Sequence, residues 1–198
     1  MMIIPVAAFT VNQYQTLQGR LAALRWSPTL RFIGVGGLMY TASSVQGSFE
    51  ALRSVNAVTH FTHYTVAHAH LGLYGFVSFV FFGAMYFVMP RITAREWPYP
   101  WLITAHFWLV SGGFALYFLS LTTGGWLQGQ AMLDAARPFM DSVAVTLPYL
   151  KGRSIGGAFM VIGHLVFAAH FMLMVTNVGP QRDQPALFRH LFARKATP

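Results

Sequence analysis

Four stretches of this chain, near residues 29–52, 63–89, 100–126 and 155–178, are apolar over the roughly 20 residues that a bilayer crossing takes. The first is the weakest of them, with several small and polar residues and Glu50 at its end. Only 9% of residues are charged, against about 25% in soluble domains. The expected fold is therefore all-α, a single integral membrane domain of four transmembrane helices over residues 1–198, without a soluble core. Cysteine is absent, which excludes disulfides and thiolate ligands. Any metal or haem must be held by His, Met or oxygen.

The segment before the first span, residues 1–12, is too short to cross and has no basic n-region, so it is a poor signal peptide. It reads as the stub of a longer helix. Pro28 opens the first span at a position that tolerates proline. Pro90 is expected to end the second, and the short loop Arg91–Pro98 then forces spans two and three into an antiparallel hairpin. The longest connection, about 127–154, contains Asp134, Pro138, Asp141, Pro148 and Gly152 and is expected to carry a short helix near 138–146. Glycines within the spans, such as Gly36, Gly37, Gly112, Gly113, Gly156 and Gly157, read mainly as close helix packing.

A net charge of +8 raises the question of nucleic acid. Its distribution answers it. Arg20, Arg25, Arg31, Arg91, Arg95, Arg182, Arg189, Arg194 and Lys195 fall on one side of an alternating four-helix topology, and Arg53, Arg137, Lys151 and Arg153 on the other. Nine against four is the positive-inside asymmetry, so the first side is cytoplasmic, and residues 179–198 form a solvated basic tail on that side. The partner implied is a lipid bilayer, with no nucleic acid.

The chemistry concentrates in His60-Phe61-Thr62-His63-Tyr64-Thr65-Val66-Ala67-His68-Ala69-His70. A histidine in a membrane segment is costly unless it is paired or liganded. Residues two apart on an α-helix are separated by about 200° of rotation. His68 and His70 therefore cannot chelate one metal as an i,i+4 pair can. Each can serve a different centre, which suits two haems flanking one helix and each taking one axial imidazole.

The other histidines divide. His60 and His63 lie at the loop edge, between propionate or ion contact and ordinary interfacial polarity. His106 is expected to anchor the third span at the membrane interface. His164 and His170, about 240° apart around span four, read as packing or hydrogen-bonding residues. Arg153, at the outer start of span four, either meets a propionate bidentately or snorkels to the interface.

Several segments together resemble the catalytic subunit of cbb3-type cytochrome c oxidases, the C family of haem–copper oxidases. These are Ser54-Val55-Asn56-Ala57-Val58-Thr59-His60, Thr65-Val66-Ala67-His68-Ala69-His70-Leu71-Gly72, Pro90-Arg91, Ala105-His106-Phe107-Trp108, Gln128-Gly129 and Arg153-Ser154-Ile155-Gly156-Gly157-Ala158-Phe159. The resemblance runs from about residue 3 to 178 and covers the last third of the family's subunit, a twelve-helix bundle. It implies that His68 is the proximal ligand of the high-spin haem b and His70 an axial ligand of the low-spin haem b. It places His60 and His63 near haem propionates and an ion. The family has Asp where His63 stands, and Glu near the proximal histidine where Gln46 stands. Gln46 can accept a hydrogen bond from an imidazole N–H but lacks the charge that raises ligand basicity.

The family's three copper-ligating histidines, active-site tyrosine and second low-spin axial histidine lie upstream and have no counterpart in this sequence. The expectation is a C-terminal portion or split half of a bacterial inner-membrane terminal oxidase subunit, with a cytoplasmic C-terminus. An N-terminal portion on another polypeptide would bring the copper, and cytochrome c subunits the electrons. By itself the chain is expected to be inactive. Two alternatives stay open: a nitric oxide reductase-like subunit, with iron in place of copper, and a non-catalytic haem-binding accessory protein.

Overall fold

A computed structural model describes residues 3–182, and every regular element among them is helical. The elements are α1 (Ile3–Leu17), α2 (Ala23–Trp26), α3 (Pro28–Glu50), α4 (Arg53–Thr59), α5 (His63–His70), a π-helical segment π1 (Leu71–Ser78), α6 (Phe79–Thr93), α7 (Pro100–Leu133) and α8 (Phe139–Val175). Of the basic tail expected at 179–198, Arg189, Arg194 and Lys195 lie outside the described residues.

Three helical runs are long and apolar enough to cross a membrane: His63–Thr93, Pro100–Leu133 and Phe139–Val175. The first combines α5, π1 and α6 in one rod. The expected first span is a helix, α3, of 23 residues. At 1.5 Å per residue its length suffices, but Ser43, Ser44, Gln46, Ser48 and Glu50 keep it less apolar than the other three. It begins as expected, with Pro28 in the first turn and the Ser27 hydroxyl accepting from the Leu30 N–H at 3.2 Å.

Pro90 does not end the second span. The helix continues through it to Thr93 and stops at Ala94, which adopts φ 52°. A proline inside a helix deprives the carbonyl four residues earlier of its partner, here that of Tyr86. The indole N–H of the fully buried Trp97 donates to that carbonyl at 3.0 Å. A tertiary contact thus supplies the hydrogen bond that the sequence removed, and the helix can go on.

The expected long connection at 127–154 is also different. Helix α7 extends to Leu133, α8 begins at Phe139, and Pro148 sits inside it. The turn is confined to residues 134–138. There the Asp134 carboxylate accepts from the Ala136 N–H at 3.1 Å and from Arg137 Nε at 3.0 Å, an aspartate turn of the ordinary kind. What holds the longer helices together is backbone proximity. A Cβ on Gly113 would come within 2.7 Å of the Gly156 carbonyl oxygen, and one on Gly156 within 2.5 Å of the Gly113 oxygen. Such small-residue crossings drive helix association in lipid, where apolar surface alone gives none. Gly112 and Gly157, by contrast, face open space.

The helices alternate in direction. At one end lie the start of α3, the end of α6 and the end of α8. Phe32 packs there on Tyr86 and His106, and Arg95 Nη1 donates to the Val175 carbonyl at 3.3 Å. A buried cluster of Phe32, Phe79, Tyr86, Trp97, Phe107 and Met174 closes this end. At the other end meet the end of α3, the start of α5 and the end of α7. That end carries the histidine pair.

Candidate functional site

The start of α5 sets the positions of its histidines. Phe61 turns the chain with φ 62°, and the Thr62 hydroxyl accepts from the Tyr64 N–H at 3.2 Å. The His63 N–H is held by Gln128 Oε1 of α7 at 3.0 Å. Gly125 and Gly129 let α7 come this close: a Cβ on Gly125 would lie 1.9 Å from Tyr64 N, and one on Gly129 1.8 Å from the Val58 oxygen.

From this fixed start the helix sends His68 and His70 to opposite neighbours. His68 faces α3, with Nδ1 3.7 Å from Glu50 Oε2. Its Cε1–Nε2 edge lies against Gly47, where a Cβ would approach to 2.9 and 3.1 Å. His70 faces α7, its ring 5.1 Å from that of Tyr117 and its Nε2 3.3 Å from the Tyr117 hydroxyl. Nδ1 of His70 is 2.8 Å from the Val66 carbonyl. A carbonyl can only accept, so Nδ1 carries the proton and Nε2 presents a lone pair. Immediately after His70 the backbone widens into π1, a local geometry frequent at functional sites.

These residues fit axial haem ligation. An imidazole ligand typically donates its second N–H to a carbonyl or carboxylate, which fixes tautomer and ring orientation. His70 already does so. Nδ1 of His68 is buried without a hydrogen-bond partner, with a carboxylate facing it.

The remaining expected site residues spread around this centre. Gln46 lies one helical turn before Glu50, its Oε1 buried and unpartnered. His60 is exposed at the end of α4 and rests on Phe61 at 3.9 Å. His63 lies within electrostatic reach of Arg153 on α8. Glu50 and Tyr117 were not signalled by sequence motifs. Glu50 could have been found as an acid inside an otherwise uncharged stretch.

His106 is not an interface anchor. It is fully buried, and its Nδ1 is 2.9 Å from the Tyr86 hydroxyl. Tyr86 lies on another helix, so no local pattern announces the pair. His164 and His170 are hydrogen-bonded packing residues, as expected. His164 Nε2 meets the Tyr74 hydroxyl at 3.1 Å, and His170 Nε2 accepts from the Tyr99 N–H at 3.3 Å. Hydrogen bonds between membrane helices contribute about 0.6 kcal/mol on average. Among the described residues no group of three or more His, Asp or Glu is placed to hold a bare metal ion.

Comparison with known proteins shows the family of this chain. The family model described as cytochrome c and quinol oxidase polypeptide I matches residues 1–159. The chain belongs to that family. This oxidase polypeptide I chain is 36% identical over 165 residues to the cbb3-type cytochrome c oxidase subunit CcoN1 of Stutzerimonas stutzeri, covering 80% of the chain and 35% of that protein. It is 31% identical over 174 residues to cytochrome c oxidase subunit 1 of Rhodobacter capsulatus, covering 84% of the chain and 33% of that protein. A nitric oxide reductase subunit of Stutzerimonas stutzeri is 27% identical over 169 residues, covering 81% of the chain and 35% of that protein. The chain thus spans about a third of the length of these curated relatives. Among solved structures, a chain of a heme-copper terminal oxidase dimer shares the fold with a TM-score of 0.58 at 19% identity, over 80% of this chain and 28% of that one. The protein is a multi-pass membrane member of the haem–copper oxidase subunit I family.

Proposed function

We propose that this chain forms the C-terminal part of a cbb3-like terminal oxidase subunit I and holds one axial imidazole for each of two haems b. His70 ligates the low-spin haem and His68 the high-spin haem. The observation that most supports this is the seating of the two rings. They leave one helix toward different neighbours, His68 toward Glu50 and His70 toward Tyr117, and the His70 Nδ1 is committed to a backbone carbonyl. When bound, the haems supply one-electron transfer from cytochrome c subunits and reduction of dioxygen to water. The protein's part is to hold the two rings in fixed orientations and to keep them apart. In this reading Arg153, His60 and His63, at the same end of the bundle, make the propionate or ion contacts. The copper ligands and the rest of both haem pockets come from helices outside these 198 residues.

In a complex purified through a tag on this chain, two b-type haems, copper and cytochrome c-dependent oxygen consumption are expected. The 198-residue chain expressed alone should insert, retain haem poorly and reduce no oxygen, because a ligand without its shaped surround binds weakly. Non-haem iron in place of copper would point to nitric oxide reduction, the reading supported by the relative at 27% identity. A single six-coordinate haem without turnover would point to an accessory cytochrome.

In the same reading α3 is a fourth span, the protein lies in a bacterial inner membrane, and the 91–98 loop and the C-terminus are cytoplasmic. The chain has no cysteine, so single introduced cysteines report sidedness cleanly. Ala135→Cys should react with an impermeant maleimide from the periplasm and Ala94→Cys should not. The reverse pattern would invert the topology.

A further inference from the structure

Away from the histidine pair, Tyr74, Tyr86, His106 and His164 form two hydrogen-bonded pairs between helices. The Tyr86 hydroxyl of α6 meets His106 Nδ1 of α7 at 2.9 Å, and the Tyr74 hydroxyl of π1 meets His164 Nε2 of α8 at 3.1 Å. The two imidazoles stand edge to face, their centroids 6.0 Å apart. Phe32, Phe82 and Phe167 wall them in. Ionisable residues inside a membrane are costly, and chains of them mark proton relays.

Unpaired atoms extend this cluster. His106 is fully buried, and its Nε2 has no hydrogen-bond partner. His170 is fully buried too. Its Nε2 accepts from the Tyr99 N–H, so Nδ1 carries the proton, and that N–H has no acceptor. The Thr29 hydroxyl, one turn before Phe32 on α3, is a third such atom. Trp97 packs on both His170 and Tyr86, with ring centroids at 4.8 and 4.9 Å. An open cleft of about 410 Å³ lies beside this layer, lined in part by Arg95, Glu96, Met174 and Asn177. Met174 is one turn beyond His170. Leaving a buried polar group unpaired is costly, and ordered water commonly meets such groups.

We propose that these groups hold buried water and form a proton path from that cleft, past His170, Tyr86, His106 and His164, to Tyr74, one turn beyond His70. An imidazole can take a proton on one ring nitrogen and release one from the other. The Tyr86 hydroxyl gives its proton to His106 Nδ1 as it receives another from water. The proton on His106 Nε2 passes through a bridging water to His164 Nδ1. The proton on His164 Nε2 goes to the Tyr74 oxygen, whose own proton moves on. Each group gains one proton for each it gives, so no charge accumulates in the aromatic layer. Reduction of dioxygen to water consumes protons, and that use of the path rests on the oxidase reading of the chain.

The test uses the complex purified through a tag on this chain. His106→Asn still offers Tyr86 a hydrogen-bond acceptor but cannot take a proton at one atom and release it from another. Its oxygen consumption is expected to fall by about 100-fold, as is that of Tyr86→Phe, with both haem spectra kept and a larger slowing in heavy water. Phe82→Leu loosens the same wall and leaves every polar group in place, so its rate and isotope effect should stay near wild type. Unchanged turnover and isotope effect in His106→Asn and Tyr86→Phe would overturn the proposal. Equal slowing in Phe82→Leu would overturn it too, by making the cluster a packing element. The wild type gives an independent reading: high-resolution cryo-electron microscopy should show water on His106 Nε2, and a dry nitrogen there overturns the path whether or not the variants fold. A wild-type complex without oxygen consumption would refute the oxidase reading, and the water on His106 is still read in it.

Discussion

Replacing His70 with alanine is expected to abolish the low-spin haem b signal in low-temperature reduced spectra while the high-spin haem remains, and His68→Ala is expected to do the converse. The separation follows from geometry. The rings leave α5 about 200° apart, and the structure seats His68 against α3 and His70 against α7. Losing an axial ligand is a larger change than losing an outer-shell partner, which by itself typically costs 10–100-fold in metal affinity or activity. Oxygen consumption should fall to background in both variants, because both centres are needed in the proposed electron path. Loss of the same single haem in both would contradict the two-sided arrangement.

The second large effect is expected at Gly129. A Cβ there would lie 1.8 Å from the Val58 carbonyl oxygen, a backbone atom that cannot swing away. Gly129→Leu should therefore push α4 off α7, at a cost of about 1–3 kcal/mol or more. The displacement also reaches the site. Gln128, the preceding residue, holds the His63 N–H that starts α5, and His68 stands little more than one turn further on. Lowered unfolding midpoints in detergent titration and impaired haem retention should appear together. Gly112→Ala is the matched control. Its Cβ meets open space, and alanine gains up to about 1 kcal/mol in helix propensity, so stability should hold or rise. Equal behaviour of the two variants would mean that the α4–α7 contact does not fix the site.

Much of this was legible without a structure because it depends on local periodicity. The three long apolar runs correspond to the helices with the length and hydropathy to cross a membrane. Opposite placement of His68 and His70 needs only the helical turn, and Ser27-Pro28 marks the start of α3 through cap chemistry that acts within four residues. The ordered set of motifs between Ser54 and Phe159 carried the family resemblance, which the family match over residues 1–159 bears out.

What the tertiary structure decided involves groups distant in sequence. Pro90 was a stop signal by itself and became an interior residue, because Trp97 folds back to satisfy the Tyr86 carbonyl. The 127–154 region carried enough turn residues to look like a loop, yet glycine contacts between α7 and α8 hold it as two helices with a turn at 134–138. His106 looked interfacial and is buried, with Tyr86 on another helix partnering its Nδ1. Position in the sequence alone gives no sign that Glu50 faces His68. An amino-acid sequence states propensities and periods, which are properties of one segment. It does not state which carbonyl loses its partner and which side chain, brought from another helix, replaces it. In a membrane an unsatisfied backbone polar group is costly, so a carbonyl that loses its own helix's donor is satisfied where helices and loops meet, as Trp97 does for Tyr86.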